Sequence, residues 1–146
     1  MEIKNQWHGS WKLRWHDVEL QVKILVNKIR RNGFEFDKIA TVTRGGLVPA
    51  RLVADAFDIK KILVDKKKIT ENTLFIDDIY DTGRTFNKIL PFVECPKKFV
   101  YGTLVARTGV PYPKQLVYGQ KTKGNEYVVF PWDRFEHERK KKSFKP

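Results

Sequence analysis

With 146 residues, the chain is long enough for one domain with a hydrophobic core and too short for two. It is 41% hydrophobic and 13% aromatic, which predicts a folded protein; without a membrane-length apolar run or a signal-peptide core, neither a membrane nor a secreted protein is expected. The net charge of +12 suits nucleic acid or a small polyanionic substrate, and the single cysteine, Cys95, permits no internal disulfide and fits a reducing cytoplasm.

Hydrophobic periodicity and turn signals predict an alternation of helices and strands within one domain spanning residues 1–146. Helices are predicted from near Asp17 to Asn32, over 47–57 and over 85–93. Strands are predicted over 38–43, 60–64, 73–77, 98–106, 116–118 and 127–130. This order implies a doubly wound α/β domain with a mainly parallel sheet flanked by helices. From about residue 137 the chain becomes a strongly basic tail, with a composition typical of disorder at its end.

The segment 74–85 carries the clearest chemical signal, and it reads Leu-Phe-Ile-Asp-Asp-Ile-Tyr-Asp-Thr-Gly-Arg-Thr. An apolar run ends in Asp77 and Asp78, which places two carboxylates at the carboxyl end of a strand, where open α/β sheets bind ligands. Gly83 permits a tight loop whose N–H groups point inward, and the following helix adds its positive end. The pattern predicts a ligand with a phosphate at one end and hydroxyls or a metal at the other.

A second loop between a strand and a helix lies upstream, at residues 43–50, and reads Thr-Arg-Gly-Gly-Leu-Val-Pro-Ala. Gly45 and Gly46 let the backbone approach a ligand closely, Arg44 adds a cation, and the N–H groups of a helix start suit an anion. Alone, this loop is equally typical of a plain glycine-rich turn. One strand away from the first motif, it predicts the other half of an anion site.

Together the two loops resemble the signature of the type I phosphoribosyltransferases, which bind 5-phosphoribosyl 1-pyrophosphate. The resemblance implies that the ribose 5-phosphate part is held by Asp77, Asp78, Asp81, Thr82, Gly83, Arg84 and Thr85. It implies that pyrophosphate is bound by Arg44, Gly45 and Gly46, and that the Thr43–Arg44 peptide bond is cis. The catalytic residues would be Arg44, which neutralises the leaving group, and Asp81, which accepts a proton from the base.

A third segment, residues 127–133, reads Tyr-Val-Val-Phe-Pro-Trp-Asp and is similar to the base-binding segment of xanthine-guanine phosphoribosyltransferases. The resemblance implies that Tyr127 stacks on a purine, that Val128 offers main-chain groups to the base edge, and that Asp133 lies near the base or the metal waters. Arg107 stands where purine enzymes of the family place a lysine that donates to the 6-oxo group. A Pro-ended aromatic strand is also typical of ordinary core, where Trp132 is expected.

The resemblance therefore implies a cytoplasmic purine phosphoribosyltransferase of the salvage type. It would transfer a phosphoribosyl group to guanine, xanthine or hypoxanthine and release pyrophosphate. The implied cofactor is Mg²⁺, held mainly through water by Asp77, Asp78 and Asp133. The implied partners are phosphoribosyl pyrophosphate and a purine base, with no membrane, and relatives often form homo-oligomers.

Departures from the family pattern keep other hypotheses open. Arg84 stands where most relatives have glycine, and only residues 65–72 are available where relatives carry a long mobile lid. Lysines 66–68 could reach pyrophosphate instead, or the cover could come from Trp7, Trp11 and Trp15, although packing of an N-terminal arm is the simpler expectation.

Two alternative functions remain. A nucleotide-sensing or RNA-binding regulator on the same fold is favoured by the short lid and the positive charge, although no RNA-binding or zinc-finger motif supports nucleic acid. A transferase for a pyrimidine or a modified purine is favoured by Arg107.

Overall fold

The computed structural model describes residues 7–143 of the chain. Its strands are β1 (Ser10–Lys12), β2 (Lys38–Thr41), β3 (Ile62–Val64), β4 (Thr73–Tyr80), β5 (Val100–Ala106), β6 (Leu116–Lys121) and β7 (Tyr127–Val129). Its α-helices are α1 (Trp15–Asn32), α2 (Leu47–Phe57), α3 (Arg84–Ile89) and α4 (Arg134–Ser143). Short 3₁₀ turns cover Leu90–Phe92, Pro96–Lys98 and Pro131–Asp133.

Five strands form a parallel sheet in the order β3-β2-β4-β5-β6, with β4 at its centre. Helices α1 and α2 bury their apolar residues against one face, where Val18, Leu25 and Val53 are inaccessible to solvent. Helix α3 packs on the other face against an aromatic cluster in which the Phe75 and Tyr101 rings stack at 5.2 Å. Helices on both faces of a parallel sheet confirm the predicted doubly wound α/β class.

Several elements differ from the prediction; β6, for example, runs to Lys121 and does not end at Tyr118. Strand β4 continues past Asp77 to Tyr80, because its pairing with β5 extends as far as Tyr80 opposite Ala106. Helix α3 ends at Ile89 and gives way to a 3₁₀ turn, because Pro91 lacks an N–H. Strand β7 does not join the main sheet; it pairs in parallel with the unpredicted strand β1.

The chain is helical over Arg134–Ser143, although a basic tail with a disordered end was predicted from about residue 137. Residues 144–146 lie outside the described part of the chain. Residues 7–143 contain no helix both long enough and apolar enough to cross a membrane.

Candidate active site

Asp77 and Asp78 lie side by side near the end of the central strand. The buried Asp77 carboxylate accepts hydrogen bonds from the Tyr101 hydroxyl at 2.9 Å and from the Asp78 N–H at 2.9 Å. Asp78 is half-buried and accepts one from the Ile79 N–H at 2.7 Å. Both side chains are therefore oriented by fixed donors.

Burial makes the charged form of both carboxylates energetically unfavourable. Burial raises the pKa of Asp77, although the hydrogen bonds from Asp78 and Tyr101 oppose the shift. Burial also raises the pKa of Asp78 well above its usual value, and the charges of Asp77 and Asp133 raise it further. Burial, followed by the charge of Asp77, raises the pKa of Tyr101, which therefore stays a proton donor. A cation or hydroxyl groups of a ligand would make the charged form more favourable.

The turn after β4 has the local structure expected of a phosphate loop. Gly83 has a positive φ of 85°, and a Cβ there would lie 2.6 Å from the Tyr80 hydroxyl. Both the backbone conformation and the limited space therefore favour glycine. The Thr82 hydroxyl accepts a hydrogen bond from the Arg84 N–H at 3.3 Å. The first N–H groups of α3 have no acceptor within the helix. Together with Asp77, the turn and the start of α3 line a cavity of about 300 Å³.

The upstream loop approaches the carboxylate pair from β2. The Thr43–Arg44 peptide bond is cis, as predicted. A Cβ on Gly45 would lie 2.5 Å from Asp78 Oδ2, so only glycine lets the two loops meet. Gly46 lines neither cavity of the site and instead caps α2, and a Cβ there would overlap the Thr41 hydroxyl. Its N–H donates to the Val42 carbonyl at 3.2 Å, so Gly46 supports the loop and does not line the site.

The shortened segment after β3 is attached to the protein body at both ends. Asp65 accepts hydrogen bonds from the Thr43 N–H at 3.0 Å and the Thr43 hydroxyl at 2.7 Å. Ile69 is buried, accepts a hydrogen bond from the Glu94 N–H at 2.8 Å and donates one to the Phe92 carbonyl at 2.9 Å. The segment thus packs against the 3₁₀ turn after α3, which supports the prediction that it is no conventional lid.

A second cavity, of about 560 Å³, adjoins the first and shares Gly45, Asp78, Ile79 and Asp81 with it. It brings together most of the residues predicted to bind pyrophosphate and base, namely Arg44, Gly45, Arg107, Tyr127, Val128 and Asp133. Burial raises the pKa of Asp133 and the charge of Glu136 adds to the shift, while the Phe130 N–H, which donates to it at 3.3 Å, opposes it. The two cavities unite the three sequence motifs around Asp78 and Asp81.

Arg107 is buried and holds Asp81 at the boundary between the cavities. Its Nε donates to Asp81 Oδ1 at 3.0 Å, and its Nη1 donates to the Gly124 and Glu126 carbonyls at 3.2 and 2.7 Å. Among residues 7–143, no acceptor contacts Nη2 of Arg107 within hydrogen-bond distance. These three hydrogen bonds fix the guanidinium at the boundary between the two cavities.

Trp7 packs against two residues that were predicted to bind the base, a contact that the sequence did not single out. Its ring lies 5.5 Å from the Tyr127 ring and 4.7 Å from Arg107 Cζ. Trp15 instead contacts Trp132 at 5.8 Å and is half-exposed. The tryptophans near the start of the chain therefore pack against the body, as the simpler expectation had it, and Trp7 does so beside the site.

Helix α4 lies over the second cavity, and its residues were not predicted as part of the site. Glu136 Oε2 accepts a hydrogen bond from Arg44 Nη2 at 3.1 Å. The His137 ring stacks against the Tyr127 ring, with centroids 5.7 Å apart and an interplanar angle of 28°. The available sequence signal was a histidine between two glutamates at the start of a mainly basic helix.

A cluster of three or more metal-ligating side chains is absent from residues 7–143. Mg²⁺ commonly binds through one or two carboxylates, with waters and substrate phosphates as its other ligands. The carboxylate pair Asp77 and Asp78 fits that requirement. A larger open depression of about 1080 Å³ lies at the opposite ends of the strands and contains none of the predicted site residues.

Comparison with known proteins agrees with this arrangement, although no family model matches the chain. A curated xanthine-guanine phosphoribosyltransferase from Desulfotalea psychrophila is 26% identical, over 90% of this chain and 91% of that enzyme. The purine phosphoribosyltransferase from Pyrococcus horikoshii superimposes with a TM-score of 0.66 at 22% identity, covering 86% of this chain and 94% of that one. A protein from Neisseria gonorrhoeae with bound ppGpp also gives 0.66, at 18% identity, covering 94% and 99%.

The sheet order, the two loops and these structural matches define a type I phosphoribosyltransferase fold. Within that class, the chain is related in sequence to the xanthine-guanine phosphoribosyltransferases, which are transferases. The resemblance inferred from the three motifs is thereby confirmed, as is the relationship to enzymes.

Proposed function

We propose that the protein is a purine phosphoribosyltransferase that joins a 6-oxopurine to the phosphoribosyl group of phosphoribosyl pyrophosphate and releases pyrophosphate. The observation that carries this proposal is the meeting of the three motifs in two adjoining cavities around Asp78 and Asp81. On this proposal the protein acts in the cytoplasm, with phosphoribosyl pyrophosphate, a purine base and Mg²⁺ as its ligands, and as a homo-oligomer.

The smaller cavity suits the ribose 5-phosphate part of the substrate. The N–H groups of the turn and of α3, with the Thr82 and Thr85 hydroxyls, would bind the phosphate, and Arg84 adds a positive charge beside it. Asp77 and Asp78 would accept hydrogen bonds from the ribose hydroxyls and, with Asp133 through water, hold Mg²⁺. When bound, Mg²⁺ would neutralise charge on the pyrophosphate and ribose oxygens.

In the reaction, the bond between ribose C1 and a pyrophosphate oxygen breaks while a purine nitrogen forms a new bond to C1. Arg44 stabilises the charge that grows on the departing pyrophosphate. Asp81 accepts the proton that the purine loses from N7, and its place at the boundary of both cavities supports this role.

The base would occupy the larger cavity. Tyr127 offers an aromatic face, Val128 contributes main-chain groups, and the remaining Nη2 group of Arg107 can donate to a 6-oxo oxygen. Stacking contributes affinity to any purine, so selectivity rests on Arg107 and the main chain.

The test is an assay with phosphoribosyl pyrophosphate, Mg²⁺ and a panel of guanine, hypoxanthine, xanthine, adenine and uracil. We expect nucleotide from a 6-oxopurine, and we expect Asp81→Asn to lower kcat about 10²- to 10⁴-fold while pyrophosphate still binds. Asp55→Asn, an exposed carboxylate on α2, is the matched control. Unchanged turnover in Asp81→Asn would remove the general base from the mechanism, and product from uracil alone would favour the pyrimidine alternative.

A nucleotide-sensing protein without turnover is the second candidate. One structural neighbour that covers 94% of this chain carries ppGpp, and residues 65–72 form no lid here. On this alternative, calorimetry would detect ppGpp binding while the base panel yields no nucleotide. RNA binding would show as saturable filter binding that weakens steeply between two salt concentrations.

A further inference from the structure

Helix α4 places two adjacent side chains on the two groups that are proposed to hold different parts of the substrates. Glu136 contacts Arg44, the proposed pyrophosphate ligand, and His137 covers Tyr127, the proposed purine platform. Both α4 residues line the cavity of about 560 Å³.

The two α4 side chains resemble the proposed substrates in their chemistry. The Glu136 carboxylate offers Arg44 an anionic oxygen at 3.1 Å, as a pyrophosphate oxygen would. The His137 imidazole is a flat nitrogen heterocycle that lies at 28° to the Tyr127 ring, as a purine would stack. On the proposed function, pyrophosphate and purine would compete with these two side chains for Arg44 and for the Tyr127 ring.

Helix α4 is connected to the body by a short turn and holds the site through exposed side-chain contacts. The turn Pro131–Asp133 joins β7 to α4 and is closed by hydrogen bonds between Asp133 and Phe130, at 2.9 Å between main-chain groups and 3.3 Å to the carboxylate. Beyond this turn, the helix is polar, and the side chains of Arg44 and Glu136 are 74% and 38% exposed. Contacts this exposed are weak enough for a substrate to replace.

We propose that α4 is an internal competitor of both substrates, in which Glu136 occupies the pyrophosphate site and His137 the purine site until ligands displace them. This inference rests on the proposed function of the two sites. It also identifies what covers the site in place of the missing lid. The apparent affinity for a substrate then equals the intrinsic affinity multiplied by the fraction of molecules in which α4 is displaced from the site.

The test uses the full chain with Glu136→Gln and, as a matched control, Glu138→Gln. Glu138 carries the same charge on the same helix but is exposed and does not line the cavity. We expect Glu136→Gln to bind Mg²⁺-pyrophosphate roughly two- to fivefold more tightly, the gain expected when one partly exposed ion pair stops competing. Glu138→Gln should match the wild type.

A second pair of measurements tests the purine half and the movement itself. His137→Ala should tighten binding of guanosine monophosphate, with Glu138→Ala as its control. Hydrogen exchange of residues 134–143 in the ligand-free protein should be faster in Glu136→Gln than in Glu138→Gln, and pyrophosphate should accelerate it in the wild type.

Weaker pyrophosphate binding by Glu136→Gln would overturn the proposal, because Glu136 would then assist binding. Equal affinity and equal exchange in both glutamine variants would also overturn it, while the proposed function would stand. If neither the wild type nor any variant binds pyrophosphate or phosphoribosyl pyrophosphate, the proposed function fails and this inference falls with it.

Discussion

Arg107 shows how one residue can differ from the family's lysine and still serve the same cavity. Its Nε and Nη1 donate to Asp81 and to two main-chain carbonyls. A lysine ammonium has no planar fork and cannot reach all of these acceptors at once. Arg107 therefore positions Asp81, and on the proposed function it would also donate to the base.

We expect Arg107→Lys to lower the free energy of unfolding by about 1–3 kcal/mol, because buried acceptors lose their donors. Turnover with a 6-oxopurine should fall as well, since Asp81 is no longer held in place. Denaturant unfolding and the base panel measure the two effects. Arg51→Lys, at an exposed arginine on α2, is the control. Unaltered stability would show that the Gly124 and Glu126 carbonyls do not need Arg107.

Burial of the charged carboxylates Asp77 and Asp78 lowers the folding stability of the ligand-free protein. Because the pKa of Asp78 in the folded state lies above its unfolded value, the folded protein holds that proton more tightly. Stability is therefore lost as pH rises from the unfolded pKa through the folded pKa. At neutral pH without metal, the charged pair is a net cost to folding.

Asp78→Asn should therefore raise Tm at pH 7 in the presence of a chelator by roughly 3 °C, while abolishing turnover. The gain should shrink toward low pH, where Asp78 is protonated in both states. Thermal melts across pH measure it, with Asp55→Asn as the control. A lower Tm at pH 7 would mean that the carboxylate stabilises the ligand-free fold.

Among the structural elements, the segment after β3 departs most from the family pattern. It is too short for a lid, and its contacts with Thr43, Phe92 and Glu94 hold it against the body. Its one buried side chain, Ile69, anchors it in the core beside α3. The segment is hydrogen-bonded to the loop that begins at Thr43, and α4 is the element that lies over the cavity of about 560 Å³.

We expect Ile69→Ala to cost about 2–4 kcal/mol of unfolding free energy, the usual penalty for truncating a buried isoleucine. kcat at a temperature where the variant is folded should change little, because the segment does not close over the substrate. Chemical unfolding and steady-state kinetics test both statements, with the exposed Lys23→Ala on α1 as control. A large fall in kcat without loss of stability would restore a lid function to this segment.

At the level of the whole protein, the site lies between elements that are distant along the chain, so ligands should stabilise the fold. On the proposed function, phosphoribosyl pyrophosphate with Mg²⁺ would contact the loops after β2 and β4 together, and mass action would add about 2.7 kcal/mol at one hundred times Kd. The excess of positive charge would strengthen this binding at low salt.

The expected result is a rise in Tm with phosphoribosyl pyrophosphate and Mg²⁺ that chelation largely reverses. Differential scanning calorimetry measures it, and sulfate at equal ionic strength controls for non-specific anion binding to the basic chain. An equal rise with sulfate would mean that general charge neutralisation explains the effect.

The phosphate loop, the pyrophosphate loop and the base segment were all recognisable from residue order, because their chemistry depends on neighbours along the chain. Gly83 needs its positive φ and Asp77 follows its apolar run whatever the rest of the protein does. The alternation of strands and helices likewise followed from local periodicity.

The contacts of Glu136, His137 and Trp7 became apparent only in the folded chain. Arg44 and Glu136 are 92 residues apart, and β1 meets β7 across most of the sequence. Such pairings depend on strand order and on the way the chain returns over the sheet, which local propensity does not encode. The sequence therefore identified the residues that meet around Asp78 and Asp81, while only the assembled fold showed that Glu136 contacts Arg44 and that His137 stacks on Tyr127.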